Sequence, residues 1–452
     1  MPGKYRWILL LVASYFFYMY WEASYILLLM FSTIVDFSIS LKLLSSENEK
    51  IRKLGVLCSL ITNLGILAVF KYFNFAQQTM FDICSLLNVD YTPNKHELLL
   101  PIGISFYTFQ TISYTLDVYW RKIRPEPHLG KFALYVSFFP QLVAGPIERA
   151  KSLLPQLKKE VVKVKPERFI SGLALVMLGL FKKVVVADTL AIQVDVIYNN
   201  WSVYNGLSLL MATYLFAFQI YCDFSGYSDI AIGIARMMGY ELMENFKLPY
   251  FSKNITEFWR RWHISLSTWL RDYLYIPLGG NRLGAIMTAR NLMITMLLGG
   301  LWHGASWNFV VWGALNGLFL SIERYFKLSK DPSSRDRSLI SKFLYTFICF
   351  NLICLTWVFF RAESFGQAMD ILSAIAELSG PVIIKDTSVF FNLVIGLITL
   401  LVIEYFFLRK NRIGDLIQKH GLIWGAGFCA FLLMMIVLFG VSNGNQFIYF
   451  QF

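Results

Sequence analysis

Charge is scarce in this chain. Of its 452 residues 15% are Asp, Glu, Lys or Arg, 56% are hydrophobic, and the mean hydropathy is +0.53. No polar gap of domain size separates the hydrophobic segments, which excludes a string of soluble domains and leaves one integral membrane domain over 1–452. Cysteine chemistry is missing too. Cys58, Cys84, Cys222, Cys349, Cys354 and Cys429 lie mostly in apolar segments, without a CxxC or a Cys/His set at zinc spacing, and read as packing residues. No HExxH, Walker loop, GxGxxG or GxSxG occurs, which excludes metal, nucleotide-hydrolysing and serine-esterase chemistry of those kinds. No small-residue cleavage site follows the first apolar segment, so it reads as a span and not as a cleaved signal. Internal repeats and low-complexity segments are absent. The net charge of +12 has no compact basic domain to present it, so nucleic acid is a poor partner.

What is present is a series of apolar runs of spanning length, about 20 residues each. Candidates are 6–20, 25–41, 54–73, 98–120, 170–188, 207–238, 286–301, 304–323, 342–361, 389–408 and 422–441, giving about eleven crossings in an all-α, polytopic protein. The 286–323 region is either two crossings that turn near His303 or one broken helix, and Gly299-Gly300 permits both. Phe132 to Phe139 is too short to cross, and Pro140-Gln141-Leu142-Val143-Ala144-Gly145-Pro146 follows it as a re-entrant or in-plane segment. Residues 151–168 read as a basic, solvated loop. Basic residues orient the chain: alternate loops hold 34 Lys and Arg on one side, against only Lys95 and Lys385 on the other. That split places the N-terminus in the cytoplasm and the C-terminus outside. A basic cytoplasmic face suits lipid head groups, and equally a phosphate-bearing cosubstrate.

Only five histidines occur, and His96, His128 and His420 fall in loops. His303 lies in an apolar run, within Leu301-Trp302-His303-Gly304-Ala305-Ser306-Trp307-Asn308. An ionisable ring at membrane depth is expensive and by default functional; the bland reading is a packing histidine bonded to a backbone carbonyl. Gly299, Gly300 and Gly304 remove bulk around it and let a ligand or another backbone approach. The second histidine, His263, belongs to a run read as one amphipathic helix over 256–273. Phe258, Trp259, Trp262, Leu266, Trp269, Leu270 and Tyr273 make its apolar face. Glu257, Arg261, Ser265, Thr268 and Asp272 fall opposite, and Pro277-Leu278-Gly279-Gly280 ends it. Such a helix lies in the cytoplasmic interface with His263 turned toward the bundle, or is simply Trp-flanked packing. Asp223, Asp229 and Arg236 sit inside the 207–238 run, as an internal ion-pair set or as the lining of a polar path. Imidazole can take a proton from a hydroxyl near neutral pH and return it. Intramembrane His, Asp and Arg also serve transporters and channels, so that class stays open on residues alone.

Trp259-Arg260-Arg261-Trp262-His263-Ile264-Ser265-Leu266-Ser267-Thr268-Trp269-Leu270-Arg271-Asp272-Tyr273, together with Leu301-Trp302-His303-Gly304-Ala305, resembles the membrane-bound O-acyltransferases (MBOAT). The similarity is to the bacterial alginate O-acetyltransferase, AlgI-like branch. Leu100-Pro101-Ile102-Gly103-Ile104-Ser105-Phe106, Phe138-Phe139-Pro140-Gln141-Leu142-Val143-Ala144-Gly145-Pro146 and Phe447-Ile448-Tyr449-Phe450-Gln451-Phe452 extend it over nearly the whole chain. The resemblance implies a helical membrane shell, with re-entrant and in-plane helices, around a central tunnel that meets near His303. His303 is then the catalytic histidine, and His263 the second motif position, where many eukaryotic relatives have Asn. Asn316 stands where relatives commonly have His, which argues against proton transfer there. Relatives usually carry a further hydrophobic span before the Tyr5-Arg6-Trp7 region.

The reading is a multi-pass O-acyltransferase of a bacterial inner membrane. It transfers acetyl from a cytoplasmic thioester, with acetyl-CoA as cosubstrate and no tightly bound cofactor or metal, to hydroxyls of an exported, alginate-type polysaccharide. An extracytoplasmic acyl-handling protein and polysaccharide export machinery are the implied partners. D-alanyl transfer toward teichoic acid is an alternative for the same fold. His303 is the expected general base; His263 orients an attacking group or polarises the thioester carbonyl. Trp302, Asn308, Tyr221 and Asp223 are weaker candidates for lining the substrate path. Arg260, Arg261 and Arg271 are candidates for donor phosphates or, equally, for lipid head groups. The orientation is testable by itself: cysteines placed in 151–168 should label only from the cytoplasm, and those in 195–205 only from outside. External labelling of 151–168 in intact cells would overturn it.

Overall fold

The structure is a computed structural model and describes residues 3–94, 100–159, 163–326, 338–384, 386–408, 413–441 and 447–448. Lys95, His96, Lys385, most of the basic 324–342 loop and the last four residues of the terminal motif lie outside them. Every regular element among the described residues is a helix. The chain divides into two compact units, Met1–Lys163 with Gly239–Leu242, and Val164–Met238 with Met243–Phe452.

Among the described residues, eight helices are long and apolar enough to cross a membrane: Ala23–Ser45, Glu49–Leu86, Pro166–Asn199, Gly206–Met237, Gly284–His303, Leu339–Arg361, Thr387–Phe406 and Leu422–Phe439. The protein is thus all-α and polytopic. The three other expected crossings are helices as well. Arg6–Met19 has 14 residues, Ile104–Tyr119 has 16, and Trp307–Tyr325 has 19 but includes the polar residues Asn308, Asn316, Glu323 and Arg324.

The first unit is tied together by a carboxylate. Asp36, buried on Ile26–Ser45, accepts hydrogen bonds from Ser59, from Asn63 Nδ2 at 2.7 Å and from Thr115 Oγ1 at 2.8 Å, so one side chain joins three helices. A fully partnered buried carboxyl group of this kind fixes helix register. Ile104–Tyr119 starts at Gly103, which adopts φ +75°, and a Cβ there would lie 2.6 Å from the Leu142 carbonyl oxygen. The 140–146 segment is buried inside the unit, which is where broken backbone at membrane depth is tolerated. Residues 150–157 are not the expected solvated loop. They form the helix Ala150–Leu157, because Leu153, Leu154 and Leu157 recur at helical spacing and are buried.

In the second unit, glycines set the helix spacing. Gly179 faces the Gly226 carbonyl at 2.4 Å from its would-be Cβ, and Gly172 faces that of Gly233 at 2.7 Å. Pro166–Asn199 and Gly206–Met237 are therefore antiparallel at backbone contact, as small residues allow in membranes. A π-helical turn, Phe181–Ala187, interrupts the first of them and carries Lys182 and Lys183. The 286–323 region resolves into a hairpin, Gly284–His303 and Trp307–Tyr325, with its elbow at 304–306. Two hairpin glycines serve backbone approach: a Cβ on Gly300 would sit 2.2 Å from the Phe309 oxygen, and one on Gly313 2.4 Å from the Met296 oxygen, while Gly304 lies against the Phe309 ring.

The single amphipathic helix over 256–273 does not form. Ile255–Arg261 and Ile264–Leu270 are separate helices, and a π-helical turn, Arg271–Tyr275, follows. The apolar periodicity runs through both helices, but the chain breaks at His263, which takes φ +42° and ψ +56°. Ser265, expected on the polar face, is fully buried. The hairpin's close approach yields a prediction. Gly300→Leu and Gly313→Leu should each destabilise the protein by at least about 1–3 kcal/mol, the usual cost of overpacking. Thermal unfolding in detergent measures this, and unchanged melting of both variants would contradict the packing.

Candidate active site

Two short stretches of the second unit converge. His303 ends the Gly284–His303 helix, where Gly304 turns extended at φ −159° and stops the helical ladder. The imidazole is 4% exposed. It stands edge to face with Trp302 and Trp312, each at 5.0 Å between centroids, and with Phe360 at 5.5 Å. His263, fully buried, packs edge-on to Phe224 at 4.6 Å and to Trp302 at 5.9 Å. The two imidazoles lie 6.4 Å apart, with their planes at 65°. Sequence positions forty apart therefore share one aromatic enclosure.

The break at His263 is held from both sides. Lys247 N donates to the Arg261 oxygen and Ile264 N to the Asn245 oxygen, both at 2.9 Å, so 245–247 bridges the two helices. The side chain of Asn245 enters the same gap. Its Oδ1 accepts from Ser265 N at 3.2 Å and from Ser265 Oγ at 2.9 Å, and lies 3.2 Å from His263 Nδ1. Its Nδ2 donates to Ser228 Oγ at 3.1 Å. Burial pushes the His263 pKa down to about 3, so the ring is neutral at physiological pH. Asn254 caps Ile255–Arg261, accepting from Glu257 N at 2.7 Å. Glu323 of the hairpin accepts from Ile255 N at 2.5 Å and from Thr256 N at 3.0 Å. Trp259 Nε1 donates to Asn316 Oδ1 at 3.3 Å, so Asn316 is a structural acceptor.

A cavity of about 510 Å³ is lined among others by Ile264, next in the chain to His263, by Thr295 and Met296 of the helix that His303 ends, and by Arg260, Arg271 and Arg324. Arg260 and Arg271 were expected at a donor site; Arg324 was not. Arg261 points elsewhere. It pairs with Glu257 at 2.5 Å and lines a second cavity of about 790 Å³, with Tyr221 and Glu404.

A sequence model of the MBOAT, membrane-bound O-acyltransferase family matches residues 120–360. The chain is 44% identical over 366 residues to a Pseudomonas putida protein named probable alginate O-acetylase AlgI, covering 81% of this chain and 73% of that one. A Pseudomonas aeruginosa protein of the same name is 44% identical over 367 residues, covering 81% and 68%. A peptidoglycan O-acetyltransferase of Helicobacter pylori is 34% identical over 466 residues, covering 97% and 83%. The chain belongs to the membrane-bound O-acyltransferase family. It is a multi-pass membrane enzyme that transfers acyl groups to hydroxyls, and the transporter alternative falls away.

The remaining candidates of this acyltransferase have visible bonds. Asn308 Nδ2 donates to the Ala362 oxygen at 2.7 Å and tethers the hairpin elbow to the end of Leu339–Arg361. Tyr221 donates its hydroxyl to Glu404, and Asp223 pairs with Lys183 at 2.7 Å and accepts from Ile448 N at 2.7 Å. Asp229 pairs with Lys182 at 2.9 Å, and Lys182 lies 3.7 Å from Glu404. Arg236 donates to Ser171 Oγ at 3.0 Å. Asp223, Asp229 and Glu404 thus form an ion-pair set with Lys182 and Lys183, which stand on the π-helical turn. Lys182 and Lys183 fall within the expected 170–188 span, where sequence reasoning gave them no role, and it missed Glu404, Asn245 and Glu323. Adjacent lysines inside an apolar run were a signal for the first two. Among the described residues no three His, Cys, Asp or Glu gather as a metal-binding group.

Removing one member of a buried ion pair leaves an uncompensated charge, which costs about 3–5 kcal/mol. Lys182→Met should therefore lower the detergent melting temperature and the yield sharply, and adding Asp229→Asn should recover much of the loss. Equal melting of wild type and Lys182→Met would show that the set does not hold the helices.

Proposed function

We propose that this enzyme acetylates hydroxyls of an exported polysaccharide of the alginate type, from the bacterial inner membrane. The observation that carries the chemistry is the meeting of His263 and His303 in one buried aromatic enclosure beside an arginine-lined cavity. The names of the two Pseudomonas relatives support the acetyl group and the glycan acceptor. The Helicobacter relative, aligned over 97% of this chain, makes peptidoglycan the second acceptor to test.

In this reading acetyl-CoA enters from the cytoplasm. Arg260, Arg271 and Arg324 meet its phosphates, where guanidinium forks bind bidentately, and the acyl thioester extends past Ile264 and Met296 toward the rings. His303 takes the proton of the attacking hydroxyl and returns it to the departing sulfur. No net proton is gained or lost, which suits a site this far from water. His263 orients an attacking group or polarises the thioester carbonyl. The cage of Trp302, Trp312 and Phe360 excludes water, which would otherwise compete as acceptor and hydrolyse the donor. An extracytoplasmic acyl-handling protein and the polysaccharide export machinery complete the route to the acceptor.

His303→Ala, in protein inserted at normal levels, should lose about 100- to 10,000-fold in transfer rate, the span of general acid–base catalysis. His263→Ala should lose less, and His263→Asn should retain more than His263→Ala. Transfer from radiolabelled acetyl-CoA to glycan measures all three, and His303→Ala within threefold of wild type would remove the assignment. Mass analysis of cell-surface glycans with and without the gene identifies the acceptor.

A further inference from the structure

The hydrogen bonds around Asn245 choose between the two roles left open for His263. This inference rests on the two-histidine reading and sharpens it. The amide of Asn245 has one orientation. Its oxygen faces the Ser265 backbone N–H, a group that can only donate, while its nitrogen donates to Ser228 Oγ at 3.1 Å. The oxygen that lies 3.2 Å from His263 Nδ1 can only accept, so the hydrogen between them belongs to the imidazole. The Ser265 hydroxyl, 2.9 Å from the same oxygen and 3.4 Å from Nδ1, directs its hydrogen to the nearer amide oxygen. In the opposite tautomer two lone pairs would face one another at 3.2 Å in a fully buried site, where nothing screens the repulsion.

We infer that Asn245 is a positioning residue that holds His263 in the Nδ1–H tautomer, so that Nε2 presents a lone pair and His263 accepts hydrogen bonds rather than donating them. A neutral imidazole has one N–H, and here Asn245 occupies it. His263 therefore cannot polarise a thioester carbonyl, which needs a donor. It steers a hydroxyl-bearing reactant by accepting that hydroxyl's hydrogen bond. No bond is made or broken at His263: the proton removed by His303 goes back to sulfur. The enclosure agrees with this. Phe224 meets the His263 ring edge-on at 4.6 Å, and the ring stays neutral because burial disfavours imidazolium. The backbone belongs to the same device, since the left-handed turn at His263 and the bond from Ile264 N to the Asn245 carbonyl bring the ring to the amide.

The test is nitrogen NMR of the full-length protein in lipid nanodiscs, with 15N-labelled histidine. The His263 signals are those lost in His263→Asn. Wild type should show a protonated Nδ1 and an unprotonated Nε2. Asn245→Leu, which has no acceptor, should lose that signature, and its kcat should fall about 10- to 100-fold with the KM for acetyl-CoA within about twofold. Asn245→Asp keeps an acceptor and should preserve both the signature and most of the kcat. A wild-type spectrum with the proton on Nε2 overturns the inference and leaves the two-histidine chemistry standing. An Asn245→Leu variant that retains both the Nδ1–H signature and its kcat overturns it as well. If Asn245→Leu does not fold, the wild-type spectrum alone decides. Full activity of His263→Ala would instead remove the two-histidine reading, and the spectrum would still decide the tautomer.

Discussion

The carboxylate of Glu323 fixes the relation between the two histidines. It stands near the end of the hairpin's second helix and accepts the backbone N–H groups of Ile255 and Thr256 together with the Thr256 hydroxyl. Those N–H groups belong to the start of the helix that leads to His263, where the backbone dipole is positive and an anion is favoured. One side chain thus joins the hairpin's second helix, which follows the elbow after His303, to the helix that leads to His263. The Trp259–Asn316 bond adds a second point on the same two helices. With two points fixed, the short helix cannot rotate, and the imidazole at its far end keeps its place.

Much of the second unit was legible in the sequence because lipid leaves few options. Backbone groups must be bonded within a segment, so long apolar runs had to be helices, and an imidazole inside one had to be explained. The placement of His303 in an apolar run follows from that, whereas the sequence left 286–323 open between a hairpin and one broken helix. Nor does the break at His263 follow from it. Phe258, Trp262, Leu266 and Trp269 keep helical spacing straight through it, and the residues that interrupt the ladder, Asn245 and Lys247, come from a segment without periodicity. Hydrogen bonds between an irregular segment and a helix leave no mark on a hydrophobic pattern. The same holds for Glu323 and Glu404, whose partners are remote in sequence. The solvated loop expected at 151–168 misled for the opposite reason. Its many lysines concealed Leu153, Leu154 and Leu157, and only the spacing of these three betrays a buried face.

Charge at depth is handled in two ways. Asp36 is satisfied by neutral donors alone, Ser59, Asn63 and Thr115, whereas Asp223, Asp229 and Glu404 depend on Lys182 and Lys183. The first arrangement is local to three helices. The second draws its cations from a π-helical turn, where Lys182 reaches Asp229 and Lys183 reaches Asp223, both on the Gly206–Met237 helix.

The left-handed backbone of His263 also limits which chemistry can evolve at that position. Few residues other than glycine adopt such dihedrals at modest cost, and Asn, Asp and His lead them because of their short polar or planar side chains. A branched or long aliphatic residue there would strain the turn whatever room it found. The chemical alphabet open to this site is therefore small before any demand of catalysis is made. Asn and His are its uncharged members with a hydrogen-bonding side chain. Drift between them needs no change of fold, only a new partner for the side chain.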